Sequence, residues 1–78
     1  MNSFDVVLSS INDVRQFVNI ACRQPCDIDV VSGRYIVDAK SIMGIFSLDL
    51  AKPIRVEIHG TEEDGLGFYK EVERFVRV

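Results

Sequence analysis

The chain has 78 residues, a net charge of −3 and an apolar fraction of 47%, which together predict one folded domain over residues 1–78. The acidic balance argues against nucleic acid or an anionic membrane as the main partner, because both are recognised by clustered lysine and arginine. No apolar run approaches the roughly 20 residues of a membrane span. No basic segment followed by an apolar stretch opens the chain, so we expect a cytoplasmic location.

The first predicted elements are a strand and an amphipathic helix. Phe4–Leu8 is rich in β-branched and aromatic residues and alternates, so it predicts a strand. Ser10 and Asp13 have the spacing of a capping box and predict the start of a helix that extends to about Arg23. The apolar residues at helical spacing are Ile11, Val14, Phe17, Val18 and Ala21.

A β-hairpin and a short helix are predicted next. Cys26–Val31 alternates between apolar and acidic residues, and Arg34–Val37 returns after a turn at Ser32-Gly33. A helix then follows Ser41, whose side chain suits an N-cap, and we expect this helix to end near Asp49-Leu50.

The last predicted elements are a strand over Ile54–His59 and a helix that begins after Thr61, which forms a second capping box with Asp64. Its predicted apolar stripe is Leu66, Tyr69, Val72, Phe75 and Val76. The element order is β-α-β-β-α-β-α. Alternating strands and amphipathic helices in this order predict an α+β fold, an open-faced two-layer sandwich with helices on one face of an antiparallel sheet.

The Ser41 helix carries the strongest functional signal. Ile42, Met43, Ile45, Phe46 and Leu48 offer more apolar surface than one buried face of a short helix uses. Part of this surface is therefore expected outside, where an apolar patch marks a partner site. A phosphate on Ser41 would change the charge beside that patch, whereas the plainer interpretation is that Ser41 is only a cap.

The segment Lys40-Ser41-Ile42-Met43-Gly44 also resembles the regulatory-serine motif of HPr, the histidine-containing phosphocarrier of the bacterial sugar phosphotransferase system. The resemblance extends back through Phe17-Val18 and Asp27–Val30 and forward to the last helix, so it covers nearly the whole chain. It implies a four-stranded sheet in the order 1-4-2-3 covered on one side by three helices. It also implies that Ser41 is a regulatory phosphorylation site and that Ile42 and Met43, with Phe46 beside them, dock partner proteins.

The chain departs from the family at the phosphoryl-carrying position. Counting back from Phe17-Val18, the family's histidine corresponds to Ser10 and its arginine to Asn12, while Asp13 adds a negative charge nearby. A serine phosphate is an ordinary ester that does not pass on its phosphoryl group readily, whereas the phosphoramidate of histidine does. We therefore expect no catalytic residue and no activity as a histidine phosphocarrier.

Other candidate sites have plainer interpretations. Cys22 and Cys26 form a single C-x3-C, whereas a zinc site needs four ligands, so we expect two reduced thiols and no metal or other cofactor. His59, the only histidine, is expected to be solvated at the end of its strand. Two glycines, Gly65 and Gly67, stand early in the last helix without a clear reason.

The expected function is that of a non-enzymatic regulatory or adaptor protein that docks through the Ser41 helix. The resemblance suggests a serine kinase or a transcriptional regulator as the protein partner. One alternative is a small accessory or ligand-binding domain in an unrelated pathway, and another is a phosphocarrier by family name only. The sequence does not specify the oligomeric state.

Overall fold

The computed structural model describes residues 2–77 and contains four strands and three α-helices, the last of which continues into one 3-10 turn. In chain order they are β1 (Ser3–Val6), α1 (Ile11–Cys22), β2 (Asp27–Ser32), β3 (Tyr35–Asp38), α2 (Ile42–Phe46), β4 (Ile54–His59) and α3 (Glu62–Val72), followed by the 3-10 turn Glu73–Phe75. The predicted element order is therefore confirmed.

The four strands form one antiparallel sheet in the order β1-β4-β2-β3, as the resemblance implies. One register row joins Phe4, Val56, Val30 and Val37 across all four strands. Because side chains alternate along each strand, this apolar row and the rows two residues away share one face. The helices pack on that face and produce the predicted two-layer α+β sandwich.

The core lies between the sheet and the helices. Phe17 of α1 and Phe68 of α3 are fully buried, with ring centroids 5.6 Å apart in an edge-to-face arrangement. Every fully buried side chain of the core cluster is apolar, and no buried charged or polar residue occurs within residues 2–77. The fold therefore rests on apolar burial, with polar chemistry confined to the surface.

Two predicted elements are shorter than expected. β1 ends at Val6 rather than Leu8 because the chain leaves its partner β4 there and Val7 N–H donates to the Phe75 carbonyl instead. Leu8 is still buried, as its alternation with Val6 predicts. α2 ends at Phe46 rather than near Asp49-Leu50, since the Ser47 hydroxyl and N–H both bond to the Gly44 carbonyl and close the last turn.

The hairpin strands are displaced by one residue from their predicted bounds. β2 begins at Asp27 instead of Cys26, and β3 covers Tyr35–Asp38 instead of Arg34–Val37. The reason is that Gly33 and Arg34 form the turn, with Gly33 at φ +60°, a conformation that glycine adopts without steric cost.

The predicted apolar stripes of the helices were partly wrong. In the first half of α3 the buried core side chain is Phe68, while Leu66 is exposed and Tyr69 is half-buried in an edge-to-face contact with Phe4. The buried positions of α3 are 65, 68 and 72, so the first half of the predicted stripe is shifted by one residue, whereas Val72 and, in the 3-10 turn, Phe75 are buried as predicted. In α1 the first position of the stripe, Ile11, is 64% exposed; it is the first residue of the helix, and the buried positions begin at Val14.

Candidate functional site

Ser41 caps α2, as predicted. Its hydroxyl oxygen accepts from the Gly44 backbone N–H at 3.1 Å, and its backbone is extended, as at an N-cap. Gly44 lets this helix approach the sheet closely, because a Cβ there would lie 3.2 Å from both Ser41 Oγ and Val37 Cβ. The glycine of the motif is therefore explained by the contact between α2 and β3.

The apolar side chains of α2 divide between core and solvent. Ile45 is fully buried and is the only buried residue of this helix. Met43 is 78% exposed and Phe46 is 42% exposed, three residues apart and thus on the same side of the helix. Ile42 is half-buried and packs against the core, so it offers less free surface than the resemblance implies.

The exposed end of α2 meets the start of α1. An open, mainly apolar cavity of about 400 Å³ lies between them, and Ile11, Phe46 and Leu50 line it together with Ser10. The exposed Ile11 side chain therefore faces the same depression as Phe46. We call Ile11, Met43 and Phe46 the docking surface; the sequence pattern identified Met43 and Phe46 as candidates but assigned Ile11 to the core.

The first turn of α1 is held by its own carboxylate. Ser10 Oγ accepts from the Asp13 N–H at 3.0 Å, which confirms the predicted cap. The Asp13 carboxylate then reaches one residue beyond a standard capping box, since it accepts from the Ser9 N–H at 3.0 Å and from the Ser9 hydroxyl at 3.1 Å. A negative group thus already occupies the position beside Ser10.

Electrostatics around Asp13 favour its charged form. The hydrogen bond from the Ser9 backbone lowers the pKa of this carboxyl, and the positive charge of Arg74 lowers it further. Arg74 comes from the 3-10 turn after α3, where its guanidinium donates to Gln16 of α1 and lies 4.7 Å from the centroid of the Phe75 ring. The nearby cation is therefore placed by the C-terminal segment and not by the first turn of α1.

His59 is exposed, as predicted, but it has a partner that local spacing does not reveal. Its Nε2 lies 2.9 Å from Asp29 Oδ2 on the neighbouring strand. This pair lies near the end of β4 farthest from Ile54, and Ile54 pairs with Val6, just before the Ser10 loop. Five residue steps of roughly 3.3 Å separate the two ends of β4, about 17 Å. His59 is therefore remote from Ser10.

The cysteines and the remaining acidic residues do not assemble a metal site. Both thiols are free, with Cys22 exposed and Cys26 half-buried, and desolvation raises the pKa of the Cys26 thiol. Across residues 2–77, no three histidine, cysteine or acidic side chains converge closely enough to hold a metal ion. In the same range, no helix has the length and apolar character required to span a bilayer.

Comparison with models of known protein families gives a match. The family model described as the PTS HPr component phosphorylation site matches residues 13–77. The chain belongs to the HPr family. The match extends from the first turn of α1 through the 3-10 turn that follows α3. The HPr assignment thus rests on the shared body of the domain from α1 onward.

Solved structures agree with this assignment. HPr-C-His from Thermoanaerobacter tengcongensis superposes with a TM-score of 0.74 at 24% identity, over 94% of this chain and 92% of that one. A phosphocarrier protein HPr from Bacillus anthracis strain Ames gives a TM-score of 0.72 at 27% identity, over 96% and 95%. None of the curated protein sequences matches this chain. At these identities the two structures establish a shared fold along nearly the full length of both chains.

Proposed function

We propose that this HPr-family protein is a regulatory or adaptor protein that binds a protein partner through the docking surface and does not carry a phosphoryl group on histidine. The observation that carries the proposal is the exposure of Met43 and Phe46 on one side of α2, with Ile11 across the adjoining cavity. Three large apolar side chains on two adjacent elements are costly to leave in water, and such patches mark interaction sites.

The loss of phosphoryl transfer follows from the first turn of α1. Serine stands at the position of the family's histidine, and an ester there does not transfer its phosphoryl group readily. The Asp13 carboxylate already accepts hydrogen bonds from the Ser9 N–H and the Ser9 hydroxyl. These two donors would otherwise be available to a phosphate in this loop. A phosphate on Ser10 would meet that charge at short range, and Asn12 brings no compensating cation.

Regulation at Ser41 is the second part of the proposal. Ser41 is half-buried, and its side-chain oxygen caps α2. A phosphate on this oxygen would add about two negative charges two residues before Met43. Lys40 is the adjacent cation, and its ammonium makes no ion pair or hydrogen bond within residues 2–77. Phosphorylation of Ser41 would therefore change partner affinity through the charge beside the docking surface and leave the fold intact.

The regulatory part is tested with an HPr serine kinase and ATP, read by intact mass. We expect one added phosphoryl group on the wild type and none on Ser41→Ala. An unmodified wild type, beside a modified HPr control, would remove the switch and leave Ser41 as a cap.

The docking part is tested by affinity capture with matched variants. Immobilised wild type and Lys70→Gln, which lowers the net charge by the same one unit at an exposed position of α3, should retain the same partner, and Met43→Asp should lose it. Equal capture by all three folded proteins would contradict docking through Met43.

A further inference from the structure

A second open cavity is lined by basic and hydroxyl-bearing side chains. It has a volume of about 430 Å³ and lies between the β2–β3 turn and the loop from α2 to β4. This volume lies within the usual range of small-molecule sites. The polar and charged residues that line it are Ser32, Arg34, Tyr35, Ser47, Asp49 and Lys52.

The charge of this cavity opposes that of the whole protein. Arg34 and Lys52 face one acid, Asp49, whereas the chain as a whole carries a net charge of −3. Neither basic side chain makes an ion pair or hydrogen bond to any part of the chain between residues 2 and 77. Two cations against one acid leave a net positive charge beside this depression, and the resulting local potential attracts anions.

The hydroxyl groups add hydrogen-bond donors. The hydroxyl groups of Ser32 and Tyr35 make no hydrogen bond within residues 2–77, and Tyr35 is 71% exposed. Ser47 differs, because its hydroxyl donates to the Gly44 carbonyl at 2.5 Å and is already committed. The available donors are thus an arginine fork, an ammonium and two hydroxyls, the set that binds a tetrahedral oxyanion.

We infer that this cavity binds a small molecule that bears a phosphate monoester. Such a group offers three strong acceptor oxygens to the arginine fork, the ammonium and the two hydroxyls. A carboxylate offers only two oxygens to the same donors, and the cavity is larger than a phosphate alone, which leaves room for the body of a small metabolite. The arginine lies in a tight two-residue turn, so its backbone is already fixed before the ligand arrives.

Asp49 makes the inference testable in both directions. One of its carboxylate oxygens accepts from the Ala51 N–H at 3.1 Å, a bond that an asparagine side chain retains. Asp49→Asn therefore removes a repulsive charge while keeping the loop closed. Loss of Arg34 or Lys52 should weaken anion binding, and loss of the Asp49 charge should strengthen it.

The experiment is a titration of the whole ¹⁵N-labelled protein with methyl phosphate at pH 7.5, with acetate and sodium chloride at matched ionic strength as comparators. We expect saturable shifts confined to residues 32–35 and 47–52 with methyl phosphate alone. Arg34→Ala and Lys52→Ala should each weaken binding about tenfold, Asp49→Asn should strengthen it about two- to fivefold, and Lys70→Ala should leave it unchanged.

Several outcomes would overturn the inference. Shifts that do not saturate, that appear equally with sodium chloride, or that centre on Lys40 and Ser41 would each do so. Equal binding by Lys52→Ala and Lys70→Ala would do the same. Because the docking surface is read by partner capture and this cavity by small-anion titration, failure of either proposal is distinguishable from failure of the other.

Discussion

Truncation of Ile45 and of Met43, two positions apart in α2, tests whether the buried and exposed sides of this helix are assigned correctly. Ile45→Ala removes three carbon atoms from a side chain that is 0% exposed. At about 0.8 kcal/mol per buried methylene plus the cavity left behind, the expected loss is about 2–5 kcal/mol. Ile45 is the only buried residue of α2, and the half-buried Ile42 provides only a partial second anchor within the helix.

Met43→Ala should behave differently. Its side chain is 78% exposed, so truncation should change the free energy of unfolding by no more than about 0.5 kcal/mol. Urea unfolding followed by circular dichroism measures both variants against the wild type. A loss of 2 kcal/mol or more in Met43→Ala, or a neutral Ile45→Ala, would refute the assignment of the two sides and with it the docking surface.

Three further perturbations follow from the helices. Gly67→Ala should raise the free energy of unfolding by about 1 kcal/mol and the Tm by about 4–8 °C, because Gly67 lies inside α3 with open space at its Cβ position and no positive φ; no gain in a thermal melt would contradict this. Asp13 has a lowered pKa in the folded state, so its stabilisation is complete above the unfolded value of about 3.9 and is lost as the pH falls through the folded value. Asp13→Asn should therefore flatten the acid side of the stability–pH profile measured by urea unfolding, and an unchanged profile would contradict the Asp13 hydrogen bonds. Ser41→Ala should cost about 1 kcal/mol and Ser41→Asp almost nothing, since both serine and aspartate cap well; equal losses in urea unfolding would mean that the cap contributes little.

The local signals predicted the elements and most of their starts. Ser10, Ser41 and Thr61 each cap the helix that they precede, because a side-chain oxygen followed three residues later by a free N–H is a purely local arrangement. The strand order required more than local pattern. It came from the resemblance to HPr proteins, since alternation along a strand does not specify its neighbours.

The errors arose where tertiary contacts decide. Phe68 rather than Leu66 fills the core because Phe17 stands opposite it, which no helical pattern reveals. The His59–Asp29 pair joins residues 30 positions apart across two strands. Of the two early α3 glycines, Gly65 is buried, whereas Gly67 has open space at its Cβ position and no packing reason for a glycine.

The candidate site was predictable in part. The motif at Ser41 indicated which helix to consider, but the division of its side chains depends on how α2 lies on the sheet. The place of Ile11 in the site could not be predicted from local pattern, because Phe46, which lines the same cavity, is 35 positions away in the sequence. The second cavity was not foreseen, since Arg34 and Lys52 belong to separate loops that the sheet and α2 bring together.

The most direct test of the account is phosphoryl transfer from labelled phosphoenolpyruvate through Enzyme I of a phosphotransferase system. A histidine-bearing HPr protein in the same reaction serves as the positive control. We expect the control to acquire an acid-labile phosphoryl group and this protein to remain unlabelled, because our proposal places Ser10 at the position of the family's histidine and the Asp13 carboxylate lies beside Ser10. An acid-labile phosphoryl adduct on any residue of this chain, His59 included, would contradict the account.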